Sequence, residues 1–289
     1  MIFFLCLCFS VNGTIFAEET STVHYYRQLV YNHVSPFYPI RGIYEITSAI
    51  AEKSPHYLFK MDNQNRIAEI INHNPELWKQ HELTHLRIYR TVFTYTGNKE
   101  IRTFFDQAGQ RVPNIRGVYK EIYTYDATGF KCGLDFYDLA EKPMLSDWQI
   151  SRYTWEKHND LVVEKRYDLN GKPVSLSPYF LFVITGIKYN DKGYSMACYN
   201  LNDALEITAN ESGIASYQDQ YDNLGNHIEY GYYDKNNKLI TGPFGYAIGK
   251  KYYDDYGDVI KEEFLNIDRV CVRRINYHYD ANGLVTGAE

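Results

Sequence analysis

Along most of this chain, apolar and polar residues alternate in runs of about seven, and each run closes on the same signal. His227 to Tyr233 carries Ile228, Tyr230 and Tyr232 at every second position. Val259 to Leu265 puts Ile260 and Phe264 on one side, with Val259 and Leu265 on the other. A period of two is the signature of a half-buried strand. Tyr246 to Tyr252 and Arg273 to Tyr277 read the same way and lead into the closing signal: an aromatic residue, Asp or Asn, two variable positions, then Gly or Asn.

That signal repeats. Tyr221-Asp222 with Gly225 recurs as Tyr253-Asp254 with Gly257. Upstream stand Tyr189-Asn190 with Gly193, Trp155-Glu156 with Asn159, Tyr125-Asp126 with Gly129, Phe93-Thr94 with Gly97 and Met61-Asp62 with Asn65, and downstream Tyr279-Asp280 with Gly283. The first positions are 61, 93, 125, 155, 189, 221, 253 and 279, so the usual spacing is 32 residues. A second signal follows twelve residues after most of the first, as at Phe105-Asp106, Tyr137-Asp138, Tyr167-Asp168 and Tyr233-Asp234, and in weaker form at Leu201-Asn202 and Leu265-Asn266. Asp or Asn at the first turn position bonds the N–H groups ahead of it, and Gly or Asn at the fourth takes positive φ. Such turns join antiparallel strands through a bulge.

The pattern predicts an all-β fold: an elongated antiparallel meander of tandem two-strand hairpin repeats, period about 32, over residues 57–289. Tight turns are expected at 62–65, 94–97, 126–129, 156–159, 190–193, 222–225, 254–257 and 280–283. Looser connectors such as Ile240 to Gly245 link the units, and Pro143, Pro173 and Pro243 fall in them, where a missing N–H costs no ladder bond. Residues 18–56 break the pattern. Ile46, Ala49 and Ile50 have helical spacing and Ser54-Pro55 ends it, so a small helical N-terminal cap is expected there.

Composition adds a compartment. Ile2 to Phe16 is an almost unbroken apolar stretch followed by Ala17 and Glu18-Glu19, which reads as a signal peptide over residues 1–17 and an exported chain, periplasmic or secreted, with no stable membrane span after cleavage. The net charge of -6 supplies no basic stripe for nucleic acid. Beyond the signal remain Cys132, Cys198 and Cys271, an odd number, in strands too far apart for bridging. All three are expected to be free thiols behaving as small buried hydrophobes. Tyrosine is the outlier, 29 in 289 residues; an apolar ring with a polar tip suits a sheet face that stays half wet.

Candidate chemistry is sparse. His81-Glu82-Leu-Thr-His85 has the spacing that, on a helix, holds zinc beside a glutamate base, with Glu100 a nominal third ligand. The repeat register instead places residues 81–85 at a connector and the start of a strand. Each Asp turn offers one or two carboxylates, fewer oxygens than calcium requires. No catalytic, cofactor-binding or metal-ligating residue is therefore assigned. The aromatic-Asp-x-x-Gly signal with Tyr-rich strands resembles bacterial hairpin-repeat families: YD repeats of the Rhs type, MORN-like repeats and WG repeats. Tyr232 to Gly242 also looks like the aromatic repeats of cell-wall and glucan-binding proteins. The resemblance implies a hairpin array and carries no functional residue. The expected function is an exported, non-enzymatic scaffold for an extended or multivalent partner, an envelope protein or a cell-surface glycan. The alternative is a zinc metallopeptidase acting through His81, Glu82 and His85.

Overall fold

The computed structural model describes residues 22–30, 35–73, 88–175, 177, 181–280 and 285–289. Within them the chain forms eighteen strands and one four-residue helix. In order these are β1 (Val23–Leu29), β2 (Gly42–Ile46), α1 (Ser48–Ala51), β3 (Tyr57–Met61), β4 (Ile67–Asn72), β5 (Arg90–Thr96) and β6 (Lys99–Phe105). Then come β7 (Lys120–Tyr125), β8 (Lys131–Tyr137), β9 (Arg152–His158), β10 (Leu161–Tyr167), β11 (Ile184–Tyr189) and β12 (Ser195–Leu201). The array ends with β13 (Ser216–Tyr221), β14 (His227–Tyr233), β15 (Ile248–Tyr253), β16 (Val259–Leu265), β17 (Cys271–Tyr279) and β18 (Val285–Ala288). From β3 onward each strand pairs antiparallel with the next. The fold is the tandem hairpin meander that the periodicity predicts, an open sheet.

The turns form for the local reason expected. Asp126 N–H donates to Phe130 O at 2.8 Å, and its Oδ1 accepts from the N–H groups of Thr128 and Phe130. Asp62, Asp222 and Asp254 repeat the arrangement. The fourth residue takes positive φ at Asn65, Gly97, Gly129, Asn159, Gly193, Gly225 and Gly257. Two turns differ in position: at 94–97 and 156–159 the strands continue, and two-residue loops at Gly97-Asn98 and Asn159-Asp160 close the hairpins. Their first positions are Thr94 and Glu156 in place of the Asp or Asn whose Oδ1 nucleates the longer turn; a Thr hydroxyl does so more weakly and a Glu carboxylate is one methylene too long. Of the expected turn at 280–283, residues 281–283 lie outside the described residues.

That difference decides which side chains face inward. Where the Asp turn closes a hairpin the register slips by one residue at the strand end, as between Gln220 and Tyr221 and between Tyr252 and Tyr253. Simple alternation then fails. His227, paired with Tyr221, joins Tyr230 and Tyr232 on the buried face in place of Ile228, and Glu262 joins Phe264 while Ile260 is exposed. A bulge inserts one residue and so inverts the facing of everything before it.

The connectors are more regular than expected. After the five second turns from Asp106 to Asp234 the chain makes an isolated bridge, Tyr137 to Pro143 or Tyr233 to Leu239 for example. Four of these connectors then form a third turn: Gly117 N–H donates to Asn114 O, Gln149 to Ser146 O, Gly213 to Asn210 O and Gly245 to Gly242 O.

Residues 18–56 contain, besides α1, the strands β1 and β2, which the sequence reading does not foresee. β1 pairs with both β2 and β3 and so extends the sheet. Residues 35–41, ahead of β2, run across the concave side. Phe37 lies 5.5 Å from each of the rings of Phe130, Trp155 and Tyr189. Tyr44 Oη accepts from Asn226, and Gln28 donates to Asp258 at 2.7 Å. In a flat sheet the turn before β16 would stand about 65 Å from β1, at about 4.8 Å per strand. The meander therefore curls until the β13–β14 and β15–β16 turns rest on the β1–β2 hairpin.

Candidate binding surface

The concave face is a filled interior. Each aromatic that closes a first strand points inward, and several use the hydroxyl to hold the previous unit. Tyr95 Oη donates to Ile67 O at 2.9 Å, Tyr253 Oη to His227 O at 2.8 Å and Tyr279 Oη to Val259 O at 2.7 Å. Much of the tyrosine content is thereby explained: the ring packs and the tip satisfies a carbonyl. Burial pushes the Tyr95 hydroxyl up to about 12.

Charged residues stand among these rings in paired sets. Arg102 donates to Glu100 at 2.7 Å and to Tyr123 Oη at 3.2 Å, and Tyr125 Oη donates to Glu100 at 2.8 Å. Glu100 is thus committed to the interior; burial opposes its charge, but Arg102 and Lys131 hold its carboxyl below the ordinary range. Glu164 and Arg166, both with 0 % side-chain exposure, meet at 2.7 Å. Trp155 Nε1 also donates to Glu164, and Arg166 donates to the carbonyls of Phe182 and Val183 and to Thr185. Ser35 donates to Glu164 from the crossing segment. His227 meets Asp219 at 2.6 Å, and burial drives its imidazole well below its usual range, to the neutral form. Lys131 donates to Phe37 O at 2.7 Å; burial first, then Arg102, lowers its ammonium to about 7. Buried pairs of this kind specify geometry more than they add stability.

The convex face is built differently. Cross-strand ion pairs run along it: Glu69 with Arg90 at 3.1 Å, Asp135 with Arg152 at 2.7 Å, Glu156 with Lys165 at 3.1 Å, Glu229 with Lys250 at 3.2 Å and Glu263 with Arg274 at 2.8 Å. Such exposed pairs contribute about 0–1 kcal/mol each. Across β12, β13 and β14 the register aligns Tyr199, Ser216 and Tyr233 in one row and Ala197, Gln218 and Gly231 in the next. Ala197 and Gly231 lack bulk, so a trough of about 270 Å³ opens over these strands, with Lys188, Gln220 and Glu229 at its rim. The Tyr233 ring lies against Gly231, close enough that a Cβ there would sit 3.2 Å from its Cε2. Gln218 Nε2 donates to Ser216 Oγ at 3.1 Å and Asn237 Oδ1 at 2.7 Å. The trough thus offers a flat ring, amides and a carboxylate on a fixed backbone.

The candidate metal motif, His81, Glu82 and His85, lies outside the described residues. Among the described residues no group of three or more His, Cys, Asp and Glu is placed to hold a metal ion, and no helix is long and apolar enough to cross a membrane. Cys132, Cys198 and Cys271 are free thiols, but only Cys198 is buried; Cys132 is half-buried and Cys271 exposed. Cys271 opens β17, whose far side has no pairing strand among the described residues until Asn276, which corrects its expected burial. Nothing in the sequence marks the trough, because its defining residues are two small ones on separate strands.

No family model matches the chain, and no curated protein is similar to it. Among solved structures it is similar to the crystal structure of a porin-like protein from Bacteroides uniformis. There the identity is 12 %, over 81 % of this chain and 87 % of that one, with a TM-score of 0.31. It is also similar to the TcdB2-TccC3-Cdc42 crystal structure, at 8 % identity over 85 % of this chain and 14 % of that one, with a TM-score of 0.23. Similarity at this level assigns no role to any residue here.

Proposed function

We propose that the protein is an exported, non-enzymatic repeat scaffold that holds an extended partner on its convex face, and that the partner is a cell-surface glycan. One observation carries this reading: the trough over β12, β13 and β14, where the Tyr233 ring lies along the sheet beside Gln218, Gln220 and Glu229. Sugars present an apolar face suited to an aromatic ring and a rim of hydroxyls suited to amides and carboxylates. The concave face does not compete for this role, since its rings and ion pairs are spent on one another and on residues 35–44. Export rests on the apolar stretch from Ile2 to Phe16.

The test is sedimentation of the purified chain with insoluble cell-wall polymers, alongside capture assays against envelope proteins. Retention on polymer that falls about tenfold in Tyr233→Ala, with the thermal melt unchanged, supports the proposal. Capture of an envelope protein without polymer retention replaces the glycan by a protein partner. Hydrolysis of peptides that is lost in Glu82→Gln replaces the scaffold by a metallopeptidase.

A further inference from the structure

Phe105, Tyr137, Tyr167 and Tyr233 close corresponding second strands, and the first three stand in register with a cation: Arg90, Lys120 and Arg152. Arg90 lies 4.8 Å from the Phe105 centroid and Lys120 lies 5.7 Å from that of Tyr137, so these rings are covered. Opposite Tyr233 the register places Ser216 instead, too short to cover a ring. Ser216 is also in register with Tyr199 on its other side. One convex row therefore carries two tyrosines with a serine between them, and both tyrosines border the trough. Paired residues in an antiparallel sheet stand alternately about 5.5 and 4.5 Å apart, which sets the two tyrosines about 10 Å from each other. The next row runs Ala197, Gln218, Gly231, so an amide lies between two small residues. Gln218 spends its Nε2 on Ser216 and Asn237, leaving its carbonyl oxygen to accept. Lys188 is paired with Asp160 at 2.9 Å and Glu229 with Lys250 at 3.2 Å, so the rim charges are matched and the trough suits a neutral ligand.

We propose that the ligand is a neutral, extended β-1,4-linked polysaccharide lying across β12, β13 and β14, with alternate sugars on Tyr199 and Tyr233; this rests on the glycan reading above. In such a chain each sugar is turned over relative to the last. The same face returns with every second sugar, after the length of about two strand spacings. The sugar between the rings turns its edge toward Gln218, whose free oxygen accepts from a hydroxyl or an acetamido N–H. An α-1,4-linked chain coils, and cannot lay alternate sugars on two rings fixed in one row. Because the rings are joined by the sheet and the sugars by their linkage, binding at the second ring is intramolecular. Affinity therefore climbs once an oligomer is long enough to span both.

The experiment is calorimetric titration of the purified full chain with soluble oligosaccharides of increasing length. The probes are β-1,4-linked glucose, β-1,4-linked N-acetylglucosamine and α-1,4-linked glucose. Affinity that rises about tenfold or more between disaccharide and tetrasaccharide in a β-1,4 series supports the inference. Tyr199→Ala and Tyr233→Ala are each expected to abolish that rise while leaving disaccharide affinity within about threefold, since one ring remains. Ser216→Arg, which restores the covering cation of other units, is expected to do the same and serves where an alanine variant melts early. No rise with length in either β-1,4 series overturns the inference, as does an equal rise in the α-linked series or one that survives all three variants. In each of those cases retention on insoluble polymer still upholds the glycan reading. Loss of retention on every polymer removes both.

Discussion

The two ends of the sheet solve the same problem in opposite ways. At the N-terminal end β2 is an edge strand, yet Tyr44 within it reaches Asn226, and Asp258 grips Arg27 and Gln28 of neighbouring β1. That edge is covered by the protein's own later turns. At the C-terminal end, β17 from Cys271 to Ile275 has, among the described residues, a strand on one side only, and Val270 and Val272 are 59 % and 54 % exposed. An unpaired edge invites pairing with another chain unless charge defends it. Arg273 and Arg274 supply that charge; Arg274 is held by Glu263, and Arg273 lies over the Phe264 ring. One end is closed by packing and the other by charge, so a wound at each should cost very different amounts.

The largest effect belongs to the covered end. Phe37→Ala removes a ring packed on three others, and about 3 kcal/mol of unfolding free energy is expected to go, read by urea denaturation. Loss below about 1 kcal/mol would show that the crossing segment is ornamental. Next comes Lys131, which bonds that segment. Its folded-state proton affinity is lowered to about 7 from 10.5. The buried cation therefore penalises the fold fully below pH 7, and stability recovers as pH rises toward 10.5. Lys131→Met is expected to lose this rise, so the difference in melting temperature between variant and wild type should shift across pH 7–10.

Asp258 sharpens the contrast from the other side. Burial first, then Asp254, raises its carboxyl to about 6 from 3.8. The associated stability is present below pH 3.8 and is lost as pH climbs through 6. Asp258→Asn, which keeps an acceptor for Gln28, should gain on wild type between pH 4 and 6.5 in thermal melts. Smaller still is Leu205→Gly. Leu205 takes φ 61° at the fourth position of a second turn, where two other units place Gly109 and Gly171. Relief of that strain is worth about 1 kcal/mol in chemical denaturation. Smallest is the bare end: Val272→Thr should move stability by less than about 0.5 kcal/mol. A cost similar to that of Phe37→Ala would mean that this edge is covered in solution.

How much of this was legible in the sequence depends on the range of the interaction. The Asp turns act over four residues, and Asp126 with Gly129 or Asp254 with Gly257 can be read directly. The third turns use Asn114, Ser146 and Asn210 in the same way, and their signal was present but lacked the preceding aromatic. Facing was less legible, because a one-residue bulge at the turn decides whether His227 or Ile228 points inward. The crossing of residues 35–44 was not legible at all. Phe37 meets partners 93 to 152 residues away, and nothing local in its neighbourhood encodes them. The trough depends on Ala197 and Gly231, whose contribution is the absence of a side chain.

The bond between Gln28 and Asp258 spans 230 residues, and it sets an order of assembly. Hairpins close over a dozen residues, so the array can form unit by unit while the chain is still emerging. The segment made first must wait for the turn made nearly last. Phe37 and Tyr38 meet their ring partners once residues 189 and 194 are made, but Arg27 and Gln28 have no anchor until Asp258 appears. A chain halted before residue 258 would hold most of its hairpins and the Tyr44–Asn226 contact but not the anchor of β1, which makes β1 the place where proteases first discriminate finished molecules from unfinished ones.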